Sequence, residues 1–183
     1  MKELSLHIMD IMQNSITAGS KLTELFVNEQ PDEDFLEFTV TDSGCGMDAE
    51  TVKKVIDPYT TGRTTRRVGL GIPLLKLAAE STGGKITIES EKGKGTKLTA
   101  RFGYHHIDRE PLGDMAETVH QIITSFEEYD FVYKHRIKDK EYELDTRELK
   151  KILNGVSFKS PEVTLWLMDY LKENEAEIKS GKE

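Results

Sequence analysis

The stretch that decides the fold is residues 35–48, FLEFTVTDSGCGMD. In its first half Leu36, Phe38 and Val40 alternate with polar residues, which predicts a strand with one buried face. The second half, residues 41–48, places two acidic residues, two glycines and the only cysteine of the chain at the end of that strand. Such a segment can be a metal loop, a reactive thiol, an ordinary turn or the floor of a nucleotide pocket.

Two of these four interpretations fail on the residues themselves. A calcium loop needs more oxygen ligands than the Ser43, Gly44 and Gly46 that follow Asp42 can supply. A redox role for Cys45 would call for a neighbouring thiol or basic residue in the sequence, and none is there. The ordinary turn and the nucleotide pocket stay open at this point.

Composition limits the class of protein. The 183 residues are 37% hydrophobic and 32% charged, which is typical of a globular domain with a real core. No apolar run is long enough to span a bilayer, the N-terminal residues lack a secretory signal, and one cysteine excludes an internal disulfide. We therefore expect a cytoplasmic protein with no membrane partner. The net charge of -8 argues against direct nucleic-acid binding, with Arg63, Arg66 and Arg67 as a local exception suited to phosphates.

Periodicity and turn residues predict an alternation of helices and strands, with a boundary near residues 105–113. Asp48 is the predicted N-cap of the second helix, and Pro161 lies in the first turn of the last one. The last helix carries an apolar face in which a lone tryptophan, Trp166, is expected to lie in the core; a partner-docking surface is the alternative. The predicted helices are 4–18, 48–56, 72–82, 114–127, 146–153 and 160–178; the predicted strands are 22–28, 35–41, 85–90 and 96–102, with a hairpin over 129–144.

Polar residues and glycines with chemical potential recur around these elements. Asp10 and Asn14 are four residues apart on the first helix and point the same way, so a carboxylate could orient water beside an amide that coordinates Mg2+. Gly69-Leu70-Gly71 precedes the third helix, where backbone amides and the helix N-terminus favour phosphate. Leu74 stands where a dinucleotide fingerprint needs its third glycine. Singly, these features also fit a solvated helix face and a turn.

The order of the motifs is more specific than any one of them. Together they resemble the GHKL ATPase superfamily, which covers DNA gyrase, ATP-driven heat-shock chaperones, the ATP-binding domains of histidine kinases and the MutL mismatch-repair proteins. Residues 57–61, DPYTT, also resemble a histidine-kinase motif. The matching segments, all within residues 1–103, are Asp10-x-x-x-Asn14-Ser15-x-x-Ala18-Gly19, Asp42-x-Gly44-x-Gly46-Met47, Gly69-Leu70-Gly71 and Gly93-x-Gly95-Thr96.

The resemblance implies a fold and a domain division. The fold is a Bergerat-type α/β two-layer sandwich, in which helices cover one face of a mixed sheet. Residues 1–103 would form the ATP-binding domain, and residues 104–183 a small α+β C-terminal region to which no chemistry is assigned.

The resemblance also implies roles for the base-binding end of the site. Asp42 would accept a hydrogen bond from the adenine amino group, where guanine offers a carbonyl instead. Gly44 and Gly46 would keep the wall beside the base thin, and Met47 would pack on the ring. Thr96 would support Asp42 and the base, through a water molecule.

At the phosphate end, Asn14 would coordinate the Mg2+ bound to ATP, and Gly69, Leu70 and Gly71 would contact the phosphates. Residues 60–68 would form a short ATP lid, with Thr61 and Arg66 or Arg67 as phosphate contacts. Asp10 would be the catalytic residue that orients water or accepts a hydroxyl proton. Hydrolytic members usually carry glutamate there, so the shorter aspartate is a departure from the pattern.

The function that we expect is therefore a Mg-ATP-binding protein that hydrolyses ATP or phosphorylates a regulatory protein partner, similar to the anti-sigma-factor kinases. The alternative is a non-catalytic module in which ATP gates a partner surface. Few residues precede the first helix, so no phosphoacceptor hairpin is expected and the chain is not interpreted as a self-contained sensor histidine kinase. The sequence leaves a homodimer open.

Overall fold

The computed structural model of the protein describes residues 3–57 and 71–180. Its framework is one six-stranded sheet with the strand order β3-β4-β2-β1-β5-β6. The helices are α1 (Leu4–Thr17), α2 (Ala49–Ile56), α3 (Gly71–Glu80), α4 (Met115–Ser125), α5 (Thr146–Leu153) and α6 (Pro161–Lys179). The strands are β1 (Leu22–Gln30), β2 (Phe35–Asp42), β3 (Lys85–Glu91), β4 (Gly95–Gly103), β5 (Asp130–Ile137) and β6 (Lys140–Asp145).

The sheet is mixed, because β5 runs parallel to β1 while the other neighbours are antiparallel. Strand alternation decides which side chains enter the core: Leu36 and Phe38 in β2 are fully buried, and the intervening Glu37 is not. Leu4, Ile8 and Met12 of α1 pack against this face, and Leu75 of α3 joins the same cluster. This is the predicted two-layer α/β sandwich, with a mixed sheet under a layer of helices.

The C-terminal strands extend the same sheet. β5 pairs with β1 from Leu22 opposite Asp130 to Glu29 opposite Ile137, and β6 pairs with β5. Buried side chains of α4 and α6, among them Val119 and Leu167, belong to the same hydrophobic cluster as α1. The extents of the two regions, 1–103 and 104–183, remain a prediction, while their strands form one continuous sheet.

Three helices begin at an aspartate whose side chain accepts a backbone N–H of the first turn, which satisfies a donor that the helix itself cannot. Asp48 accepts from Thr51 at 2.8 Å, as its predicted N-cap role requires. Asp114 of α4 and Asp145 of α5 do the same. These local stop-and-start signals explain why the predicted helix bounds differ from the observed ones by only a few residues.

Helix α6 corrects one expectation. Trp166 is 48% exposed and stacks on Tyr170 with 5.3 Å between ring centroids, so it does not lie in the core. The buried positions of α6 are Leu167, Leu171, Glu175 and Ile178, which recur every three or four residues. Because successive helical residues are rotated by about 100°, the stripe through Leu167 turns Trp166 outward. Among the described residues, no helix is long and apolar enough to cross a membrane.

Candidate nucleotide site

A cavity of about 320 Å³ opens between α1, the end of β2 and the β3–β4 hairpin. This volume lies at the lower end of the range of about 300 to 1,000 Å³ that is usual for small-molecule sites. Its walls are largely apolar, with Ile11, Val40, Ile72, Ile88 and Leu98 among them. Five of the predicted site residues also line it: Asn14, Asp42, Gly46, Met47 and Thr96. The cavity therefore combines apolar walls with a few convergent polar groups.

The Asp42 carboxylate is held at both oxygens. Its Oδ2 accepts the Ser15 hydroxyl at 2.8 Å, and its Oδ1 accepts the Gly44 backbone N–H at 2.9 Å. Asp42 is the last residue of β2, two positions after Val40, so the alternation of the strand turns both side chains toward the same face. The carboxylate is thus preorganised as an acceptor between α1 and the glycine loop.

The glycine loop passes close to the β3–β4 turn. Gly46 has φ 67°, and a Cβ there would collide with the backbone carbonyl of Glu91. The Cys45 carbonyl accepts the Gly93 N–H at 2.6 Å, while the Cys45 N–H donates to the Ala18 carbonyl at 2.9 Å. A side chain at position 46 would therefore force the loop away from the hairpin that completes the cavity wall.

Thr96 lies directly opposite Asp42 in the β2–β4 pairing, so the two side chains are neighbours on adjacent strands. The hydroxyls of Thr96 and Ser90 are 2.8 Å apart. Gly95 has φ 100°, and a Cβ there would collide with the Asp42 carbonyl. The sequence GKGT thus does more than turn the chain, since its second glycine lets β4 approach the floor of the cavity.

At the cavity mouth, Asn14 is exposed and lies one helical turn after Asp10 on α1. Asp10 is half-buried outside the cavity lining, and a Cβ on Gly71 would come within 2.5 Å of its Oδ2. The carboxylate therefore lies against the first residue of α3. No group of three or more His, Cys, Asp or Glu suited to a metal occurs within the described ranges, so Asn14 is an oxygen donor without a preformed protein cage.

The structure thus gathers Asn14, Asp42, Gly46, Met47 and Thr96 around one cavity. Gly44 donates its N–H to Asp42 without being part of the lining, and Asp10 lies beside Gly71 at the edge. Four predicted residues, Thr61, Arg66, Gly69 and Leu70, lie outside the described residues, as does the predicted lid over residues 60–68. Sequence reasoning assigned no role to Ser15 or Ser90. Ser15 follows Asn14, and Ser90 of β3 lies opposite Thr96 of β4, so both could have been found by their register.

This fold and cavity define an ATPase domain of the GHKL class. The family model described as "Histidine kinase-, DNA gyrase B-, and HSP90-like ATPase" matches residues 2–106. The match covers more than half of the chain, and the chain belongs to this family.

Curated relatives are similar to about half of the chain. The sensor histidine kinase YxdK of Bacillus subtilis (strain 168) is 31% identical over 106 residues, which is 55% of this chain and 33% of the relative. The sensor kinase CckA of Brucella abortus (strain 2308) is 35% identical over 74 residues, which is 40% of this chain and 8% of the relative. The chain matches a third or less of the length of these relatives.

Solved structures show the same fold at low identity. The ADP-complexed MutL ATPase domain of Aquifex aeolicus superposes with a TM-score of 0.50 at 13% identity, covering 93% of this chain and 70% of that one. The N-terminal domain of a DNA repair protein gives a TM-score of 0.54 at 13% identity, covering 97% of this chain and 57% of that one. Both matches extend over the C-terminal strands and helices as well as the family-matched half.

Proposed function

We propose that this chain binds Mg-ATP in the cavity and uses it to hydrolyse ATP or to phosphorylate a regulatory protein partner. The observation that carries the proposal is the Asp42 carboxylate, fixed by Ser15 and Gly44 at the floor of an apolar cavity. A carboxylate only accepts hydrogen bonds, so it selects a ligand with a donor at that position. The adenine amino group is such a donor, and the guanine carbonyl is not.

The apolar walls suit the rest of the base. Met47 and Ile88 line the cavity, and a purine ring between them would remove apolar surface from water. The Gly44 and Gly46 backbone would border the base because neither residue carries a side chain. In that orientation the ribose and phosphates would extend toward Asn14 and the start of α3.

The phosphate end fits a hard cation and its ligand. When bound, Mg2+ would neutralise phosphate charge, and the Asn14 amide oxygen is a donor suited to it. The N-terminus of α3, at Gly71, favours negative charge because the positive end of the helix dipole lies there. Asp10 would orient water or accept a hydroxyl proton, and Thr61, Arg66, Gly69 and Leu70 remain proposed phosphate contacts.

Removal of the Asp42 charge tests this proposal. Asp42→Asn keeps a side chain of the same shape that can still accept from Gly44, so folding should be preserved. The amide would turn a donor toward the adenine amino group, and ATP affinity should fall about 100-fold or more. Isothermal titration calorimetry with ATP and Mg2+ measures the loss, with the exposed Glu24→Gln on β1 as the charge-matched control. Unchanged ATP affinity in Asp42→Asn would show that the pocket assignment is wrong.

The alternative is an ATP-gated module that performs no chemistry. Aspartate in place of the usual glutamate at position 10 favours it. Trp166 on α6, which is exposed and stacks on the partly buried Tyr170, offers a partner surface. Incubation with γ-labelled ATP, Mg2+ and protein partners separates the cases. Label on a protein indicates a kinase, free phosphate indicates an ATPase, and retained ATP binding with neither indicates the gated module. A cytoplasmic location and a homodimer belong to the same set of proposals.

A further inference from the structure

Ser90 lies behind the cavity floor and touches three polar atoms of the site. Its Oγ accepts the Met47 N–H at 2.8 Å and donates to the Gly95 carbonyl at 3.0 Å. The same Oγ lies 2.8 Å from the Thr96 hydroxyl. Thr96 lines the cavity, whereas the lining does not include Ser90.

The number of available protons determines the direction of the hydrogen bond between Ser90 and Thr96. A serine hydroxyl carries one proton and can accept two hydrogen bonds. If that proton goes to the Gly95 carbonyl, which cannot donate, Thr96 must be the donor to Ser90. All three contacts are then hydrogen bonds. The reverse direction would leave the Ser90 oxygen and the Gly95 carbonyl as two acceptors 3.0 Å apart.

The direction of this hydrogen bond determines what Thr96 can offer to a ligand in the cavity. With its proton directed to Ser90, the Thr96 oxygen offers only lone pairs to a ligand. Asp42, its cross-strand neighbour, also offers only acceptor oxygens. The floor of the cavity therefore carries two adjacent acceptors from two different strands.

We propose that Ser90 is a positioning residue that holds the Thr96 hydroxyl as an acceptor, so that the site reads a purine with an amino group at its six-position. The inference rests on the proposed ATP function and deepens it. An amino group has two protons to donate, directly or through a water molecule, whereas a carbonyl at the same position faces acceptors only. Asp42 accepts a hydrogen bond from the amino group, and Ser90 keeps the Thr96 hydroxyl from donating one to a carbonyl at that position.

The test compares ATP with inosine triphosphate, which differs from ATP only along the N1 and six-position edge. In Ser90→Ala the Thr96 hydroxyl loses its acceptor and can rotate to donate into the cavity. The ratio of the inosine triphosphate Kd to the ATP Kd should then fall about fivefold, because one hydrogen bond becomes available to the carbonyl. Ser90→Thr retains the hydroxyl and should retain the wild-type ratio.

A merely structural role would not produce this result. Loss of the Met47 contact alone loosens the glycine loop and weakens both nucleotides equally, leaving the ratio unchanged. In a Thr96→Val background no hydroxyl remains to rotate, so Ser90→Ala should no longer move the ratio. If Ser90→Ala loses its thermal unfolding transition, Ser90→Cys takes its place, since a thiol is a weaker acceptor, and the ratio should fall in the same direction.

The outcomes separate the two proposals. Absence of ATP binding in the wild-type protein refutes the proposed function, and with it the inference. Wild-type preference for ATP, combined with an unchanged ratio in Ser90→Ala, overturns the role of Ser90 alone. A lowered ratio in Ser90→Ala that Ser90→Thr does not share supports both.

Discussion

A buried acid–base cluster joins the C-terminal helix to the sheet, and its disruption gives the sharpest stability prediction. His135 of β5 is fully buried, with Nδ1 2.9 Å from Glu175 Oε2 and Nε2 2.9 Å from Glu29 Oε2. Glu175 of α6 also accepts the hydroxyls of Tyr133 at 2.7 Å and Tyr142 at 2.6 Å. One carboxylate on α6 thus holds two strands of the hairpin, while Glu29 contributes from β1.

The pKa directions follow from this geometry. Burial lowers the pKa of His135, but hydrogen bonds and charge from Glu175 and Glu29 outweigh it, so that pKa lies above the ordinary 6.5. Burial raises the pKa of Glu175, but hydrogen bonds and charge from His135, with the tyrosine hydroxyls, outweigh it and leave that pKa below 4.5. Lys179 Nζ lies 3.9 Å from Glu175 Oε2 and adds a further positive charge to the group.

We predict that Glu175→Gln destabilises the protein by about 3 kcal/mol at pH 5.5, where a typical domain has only 5 to 15 kcal/mol in total. Glutamine keeps the shape and can still accept from a tyrosine. It removes one of the two carboxylate charges that face the buried imidazolium, and charge-assisted hydrogen bonds are worth about 1.5 to 3 kcal/mol each. For a chain of this size the expected fall in Tm is about 6 to 12 °C.

The pH dependence follows from linkage. A raised histidine pKa contributes stability that is complete below 6.5 and is lost as the pH rises through the folded-state pKa. A lowered glutamate pKa contributes stability that is present above 4.5 and is lost as the pH falls through the folded-state pKa. The difference between wild type and Glu175→Gln should therefore be largest between these two values and shrink in alkaline solution.

Urea unfolding followed by circular dichroism at pH 5.5 and at pH 9 measures both effects. Glu177→Gln, on the same helix but exposed, is the matched control and should change stability by less than about 0.5 kcal/mol. A Glu175→Gln variant as stable as this control, or one whose deficit is equal at the two pH values, would show that the buried charge pair does not stabilise the fold.

The remaining predictions concern the site. Gly46→Ala should destabilise the protein by about 3 kcal/mol, because the positive φ and the collision with the Glu91 carbonyl act together. Gly93 also has a positive φ, but a Cβ there would meet nothing within 4 Å, so Gly93→Ala should destabilise the protein by only about 1 kcal/mol. If the two variants lose the same thermal stability, the collision with the Glu91 carbonyl does not contribute to the loss. Asp10→Asn should leave the ATP Kd nearly unchanged, since Asp10 is outside the cavity lining, but should lower any ATP turnover about 100-fold. A large change in Kd with unaltered turnover would contradict the role assigned to Asp10.

Local patterns in the sequence were enough to predict the parts of the structure that depend on periodicity and on the order of residues along the chain. Alternation through residues 35–42 specified β2, its buried face and the position of Asp42 at its end. Aspartates before amphipathic segments specified where α2 and α4 begin, because an N-cap acts within one helical turn. The glycines of the loop and hairpin indicated that the backbone approaches other groups closely there, and the order of the motifs indicated the family.

Contacts between residues far apart in the sequence were visible only in the tertiary structure. The parallel pairing of β5 with β1 joins residues more than 100 positions apart, so no local pattern in either strand specifies its partner. The same pairing brings Glu29 beside His135, and packing of α6 then delivers Glu175. The rotation of α6 also decided that Leu167, and not Trp166, enters the core. Such contacts depend on how whole elements fit together, because the free energy of burial is shared by many residues and no single residue encodes it.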